Sequence, residues 1–110
     1  MQGVTNAAPP SGGLRIVAQG TYTVTGPVNL TLSSPAVMAI VSSVAKEEAT
    51  EDLLVQQTAV LALEDAAYGV ISQGNRSAEV ALRKRNDGSC YIRVSYTHSG
   101  SMMIQYAAFA

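Results

Sequence analysis

Few side chains in this sequence are of types that do chemistry, and their spacing limits what that chemistry could be. His98 is the only histidine and Cys90 the only cysteine. A metal centre needs several Cys, His or carboxylate ligands converging on one point, and the chain holds no Cys/His cluster. Acyl transfer by a serine needs a histidine base and a tight turn that presents the hydroxyl. Serines are plentiful, but no Gly-x-Ser-x-Gly elbow accompanies His98. Gly12-Gly13 is not followed by the lysine and hydroxyl residue of a phosphate-binding loop. A single cysteine excludes an intrachain disulfide, and alternation places Cys90 on a buried face, where a thiol acts as a small hydrophobe. No catalytic, cofactor-binding or metal-ligating residue is assigned, and the expectation is a protein that is not an enzyme.

Two charged groupings remain. Glu47, Glu48, Glu51 and Asp52 gather where a helix is expected to start, and carboxylates there complement the helix dipole. They lack the loop glycine and ligand spacing of a calcium loop. Glu64 and Asp65 are adjacent, so on a helix they point about 100° apart and do not form an acid and base pair. The second grouping is basic. Arg83, Tyr91 and Arg93 fall on one face of an expected sheet, with Arg76 and Arg85 nearby. Cations around an aromatic could hold single-stranded nucleic acid. With only one aromatic central to the face, an acidic protein surface is the better match, such as Glu51 and Asp52 of another copy.

Composition points the same way. The chain has 110 residues, a single-domain length. Its 47% hydrophobic content is ordinary, but only 14% of residues are charged where about a quarter is usual. A small domain so poor in charge has surface to spare for a partner or for copies of itself. The net charge of −1 gives no bulk electrostatic case for nucleic acid or anionic membrane. No basic patch followed by an apolar run opens the chain, and no run reaches membrane-spanning length. The expectation is synthesis in a cytoplasm without a signal peptide, and no membrane partner.

The elements that would position these groups read as an α+β fold. Residues 1–13, with Pro9-Pro10 and Gly12-Gly13, form a flexible arm, and residues 14–110 form one domain. Residues 14–33 alternate and read as a hairpin pairing Val24 with Val28 across Thr25-Gly26-Pro27. Ser34-Pro35 signals a helix start, while valine-rich residues 36–45 fit a helix or a buried strand equally well. Thr50 caps a long helix to about Gln73, stopped by Gly74-Asn75. Ala59, Ala62 and Ala66 make a small-residue stripe on it, where a partner could approach closely.

Residues 78–109 read as a three-stranded antiparallel meander packed on that helix. Its turns, Asn86-Asp87-Gly88 and His98-Ser99-Gly100, each end in glycine. Leu82 then faces Ile92 and Val80 faces Val94. Across the second turn, Tyr96 faces Met102, Val94 faces Ile104 and Ile92 faces Tyr106. The oily side holds Val80, Leu82, Cys90, Ile92, Val94, Tyr96, Met102, Ile104, Tyr106 and Ala108. The other side carries Glu79, Arg83, Arg85, Tyr91, Arg93, Ser95 and Gln105.

The resulting expectation is a structural protein that assembles with itself or into a larger assembly. A small virion component is one such case, as a capsid-decorating or tail-assembly subunit. This expectation rests on low charge, the helix stripe, the opposed acidic and basic segments and the arm. Alternatives are a module binding single-stranded nucleic acid or another anion through the basic face, and an enzyme or ligand-binding domain with a pocket between helix and sheet.

Overall fold

The computed structural model describes residues 14–63 and 68–110. Among them there is no helix. Eight strands run in the order β1 (Ile16–Val24), β2 (Val28–Thr31), β3 (Met38–Lys46), β4 (Leu53–Ala62), β5 (Gly69–Gln73), β6 (Arg76–Lys84), β7 (Cys90–Ser95) and β8 (Met102–Phe109). They form two antiparallel four-stranded sheets, β1-β8-β3-β4 and β2-β7-β6-β5. The fold class is therefore all-β, not α+β. The expected arm, residues 1–13, lies outside the described residues.

The β6-β7 turn matches the expectation. Gly88 has φ 91° and donates its N–H to the Arg85 carbonyl at 3.0 Å, as a type I turn closed by a left-handed glycine requires. Val80 pairs with Val94 and Leu82 with Ile92. Asp87 locks the turn, its Oδ1 accepting from the Ser89 N–H at 2.9 Å and the Ser89 hydroxyl at 2.7 Å. These two bonds, with the charge of Arg85 adding to them, hold the Asp87 carboxyl below its ordinary range.

The other two expected pairings fail for one reason: the chain changes sheet where a hairpin was read. Gly100 does have φ 81°, but the loop after Tyr96 carries the chain to the opposite sheet. There β8 pairs with β1 and β3, so Tyr96, Val94 and Ile92 do not face Met102, Ile104 and Tyr106 across a ladder. A side chain at Gly100 would also stand 2.9 Å from the Arg76 guanidinium, which donates to the Ser101 carbonyl at 3.1 Å. Likewise Val24 pairs with Met102 and Val28 with Val94, so Thr25-Gly26-Pro27 links two sheets rather than two paired strands.

The residues read as a long helix from Glu51 form β4 and β5 instead, except that Glu64, Asp65 and the two residues after them lie outside the described residues. Thr50 does act as a local cap, accepting from the Asp52 N–H at 3.3 Å. It does so in the β3-β4 turn, where Glu51 takes φ 60° and a right-handed helix cannot begin. Of the two readings for 36–45, the strand is correct. Ser34-Pro35 lies in the crossing from β2 to β3, where the Ala36 N–H reaches the Cys90 sulfur at 3.5 Å.

Although the pairing differs, the sorting of faces survives. Val80, Leu82, Cys90, Ile92, Val94, Tyr96, Met102, Ile104 and Ala108 are all buried in one cluster shared by both sheets, with Tyr106 packed at its margin. Ile92 is 0% and Val94 1% exposed, while Arg93 faces solvent and Arg83 is half-buried. The interior needs no helix because each sheet covers the other.

The sheets are tied at one corner by Ser43, a fully buried polar residue on β3. Its hydroxyl donates to the Ser72 carbonyl on β5 at 2.6 Å and accepts the Gln57 N–H at 3.2 Å. The Ser72 hydroxyl in turn donates to Gln57 Oε1 at 2.8 Å. Further along the same junction Gly69 is obligatory, since a Cβ there would lie 2.6 Å from that of Ala59.

Two outcomes follow from these contacts. Ser43→Ala removes hydrogen bonds from the part-buried Ser72 carbonyl and Gln57 N–H, so chemical denaturation should show a loss of about 1 kcal/mol. For Asp87 the folded pKa is depressed, so its stabilisation is complete above the unfolded value of about 3.9 and is lost as pH falls through the folded value. Urea midpoints at pH 5 and at pH 2.5 should differ less for Asp87→Asn than for the native chain.

Candidate functional site

The outward side of β1-β8-β3-β4 can be read row by row from the strand register. Across the four strands the rows are Thr23, Met103, Val44 and Val55; then Thr21, Gln105, Ser42 and Thr58; then Gln19, Ala107, Ile40 and Val60; then Ile16, Phe109, Met38 and Ala62, with Val44 and Ser42 already covered by their neighbours at 0% and 8% exposure. None of these residues carries a charge. Three rows are apolar apart from the β1 positions Thr23 and Gln19, and one is polar throughout. Within the polar row the Ser42 and Thr58 hydroxyls share a hydrogen bond of 2.8 Å. The one charged residue in the strands of this sheet is Lys46, at the end of β3.

An antiparallel sheet with one face on a core normally turns charged and polar residues outward. This face does not. It leaves Val60 66% and Val55 56% exposed, with Ile16 exposed at the opposite corner. Beside β1 the small Ala107 and the backbone of Gly20 leave a shallow open trough of about 380 Å³, bounded by Gln19, Thr21, Ile40 and Gln105. The margin of the sheet is open as well. Among the described residues β4 pairs only with β3, and from Leu53 to Ala62 it contains neither a charge nor a proline, two of the devices that keep edge strands from pairing with other chains, although a bulge opposite Ser43 and Val44 interrupts its register.

The outward side of β2-β7-β6-β5 is different. Arg83 lies opposite Tyr91, Arg93 opposite Ala81 and Glu79 opposite Ser95. The Arg83 guanidinium donates to the Leu82 carbonyl at 3.3 Å. Arg85 stacks its guanidinium 4.4 Å above the Tyr91 ring, a cation–π contact that covers the ring face a nucleobase would need.

The residues singled out in the sequence are thus dispersed. Arg83, Tyr91 and Arg93 do share a sheet face. Glu51 and Asp52 sit in the β3-β4 turn, where Glu51 pairs with Lys46 at 2.9 Å rather than with any arginine. That turn is near the end of the molecule where β8 begins, since Val44 lies beside Met103. Arg83 and Tyr91 adjoin the β6-β7 turn at the other end. Ala59 points inward toward Gly69 and Ala62 outward, so they form no common stripe once the helix is gone. Ala66 lies outside the described residues. His98 is exposed in the β7-β8 loop with its ring 5.8 Å from that of Tyr96. Among the described residues no three His, Cys, Asp or Glu side chains come together as a metal site, and no helix is long and apolar enough to cross a membrane.

Ile40, Val60, Met103, Ala107 and Phe109 were not singled out from the sequence. The available signal was the absence of charge from four whole segments, 16–24, 38–45, 53–62 and 102–109, which the fold gathers into one sheet. Comparison of the chain with protein-family models, curated proteins and solved structures finds no match. The fold and these faces therefore define the class, a two-sheet antiparallel β protein with one uncharged outer face, and the functional reading rests on that geometry.

Proposed function

We propose that this chain is a structural subunit that assembles with copies of itself, burying the uncharged outer face of β1-β8-β3-β4. The observation that carries the reading is that face: four strands wide and free of charge within its rows, in a chain that sets Arg76, Arg83 and Arg93 on strands of the opposite sheet. A neutral face can meet its own copy without like-charge repulsion, whereas the arginine-bearing face would oppose itself. The extent is adequate. Four strands about 4.8 Å apart and eight or nine residues long give roughly 500 Å² of flat sheet per copy, so about 1,000 Å² for a pair, near the lower bound for a specific interface. The uncharged β4 edge, regular from Gln57 to Ala62, adds a second route to assembly, by strand addition. Repeated contacts of this kind suit a subunit of a larger particle, a virion component among them.

A second reading, binding of an anionic partner, draws on Arg83, Arg85 and Arg93 around Tyr91. Because Arg85 covers one face of the Tyr91 ring, that partner would be held by charge more than by stacking.

Sedimentation equilibrium decides the main reading. The chain should form a defined oligomer at micromolar concentration, and Met103→Glu should weaken it at least tenfold, while Arg93→Glu leaves it intact. A monomer at several hundred micromolar overturns the proposal. Loss of the oligomer with Arg93→Glu alone would move the interface to the basic sheet.

A further inference from the structure

Granting that the uncharged face is where copies meet, its pattern selects one way for them to meet. The four rows are not alike. The row of Thr21, Gln105, Ser42 and Thr58 is polar, and the three others are mainly apolar. Two copies stacked face to face can be related by a two-fold axis lying between them, either along the strands or across them. An axis across the strands reverses the row order, so when all four rows overlap it sets the polar row of one copy on an apolar row of the other. An axis along the strands keeps the order, so the polar row meets the polar row and hydroxyls and amides find partners.

The same operation exchanges the two margins. With the axis between β8 and β3, β4 of one copy lies over β1 of the other. Val60, the most exposed of the exposed large hydrophobic residues at 66%, stands on β4 in the row of Gln19, Ala107 and Ile40. The trough is lined from β1, β8 and β3, by Gln19, Thr21, Gln105, Ala107, Ile40 and Ser42, so it lies over β8 between that row and the polar row, with Gln19 at its β1 rim. Val60 of one copy then meets Gln19 at the rim of the other's trough, at one level along the strands, and the contact is made twice in such a pair.

We infer that two copies of this chain form a closed two-fold dimer by stacking their β1-β8-β3-β4 faces about an axis along the strands, with Val60 of each copy lying over Gln19, at the β1 rim of the trough, of the other. The contact closes on itself, so it makes a pair and not a filament. The opposite, arginine-bearing sheets then face outward on both sides of the dimer, free for a different partner.

The arrangement is tested by Gln19→Cys and Val60→Cys. Within one copy these positions are three strand spacings apart, roughly 14 Å. A thiol cross-linker too short for that span joins them only between copies. Cys90 is buried and does not compete. Dimers linked only when one thiol is at position 19 and the other at 60 are expected, in the double variant and in a mixture of the two single variants. Val60→Asp, at an exposed site, should raise the dissociation constant at least tenfold with an unchanged circular dichroism spectrum. If Val60→Cys alone links to itself, the copies meet β4 to β4 and the inferred axis is wrong. A ladder of larger linked species means an open contact and overturns the closed dimer. Association in the ultracentrifuge without any link between 19 and 60 also defeats this geometry but leaves the assembly reading standing. A chain that is monomeric throughout removes both.

Discussion

Two sheets must bury one set of apolar side chains between them, and that constraint organises this molecule. Val24, Val41, Leu61, Ile71, Val80, Leu82, Ile92, Val94, Tyr96, Met102 and Ile104 come from seven strands and from both sheets, and all are essentially closed to solvent. No strand can slip by one residue without sending its share of this set outward. The chain meets the constraint by changing sheet repeatedly, between β1 and β2, β2 and β3, β4 and β5, and β7 and β8. The Ser43, Gln57 and Ser72 hydrogen bonds fasten the two layers where β3 and β4 come against β5.

Once the interior is accounted for, the two exteriors can be compared. One carries Arg83, Arg93 and Glu79 and is an ordinary solvated sheet face. The other has no charge on it and several aliphatic side chains in the open. Solubility alone would favour the first character on both sides. The asymmetry is what gives the molecule a sticky side and a wet side. It also accounts for part of the low overall charge, since one whole sheet face has been left without any.

That same face accounts for the misreading of the middle of the chain. A strand with a polar outward side betrays itself by alternation. β4 does not alternate, because Ala59 and Leu61 point inward while Val60 and Ala62 point outward, and neither side is charged. A run of that kind fits a helical wheel with a narrow polar edge just as well. Thr50 and Asp52 then completed the impression, since residues that cap helices also close turns. The left-handed Glu51 shows which use the backbone makes of them here. Ala59 and Ala62, neighbours on a helix, are on opposite sides of a strand.

Local chemistry was enough for the segments that obey one rule at a time. The Asn86-Asp87-Gly88 turn, the register it imposes on Val80 and Leu82, and the burial of Cys90, Ile92, Val94, Tyr96, Met102, Ile104 and Ala108 were all legible in the order of residues. Glycine in a left-handed turn and period-two alternation are properties of a few neighbouring residues, so they need no knowledge of the rest. Which strand lies beside which was decided only by the tertiary structure. An apolar residue at Met102 or Val28 is satisfied by any covered face, and the sequence does not say whether the cover is the preceding strand or the opposite sheet. The uncharged surface has the same origin, because its four rows draw on segments far apart in the chain and exist only where β8 has come to lie between β1 and β3.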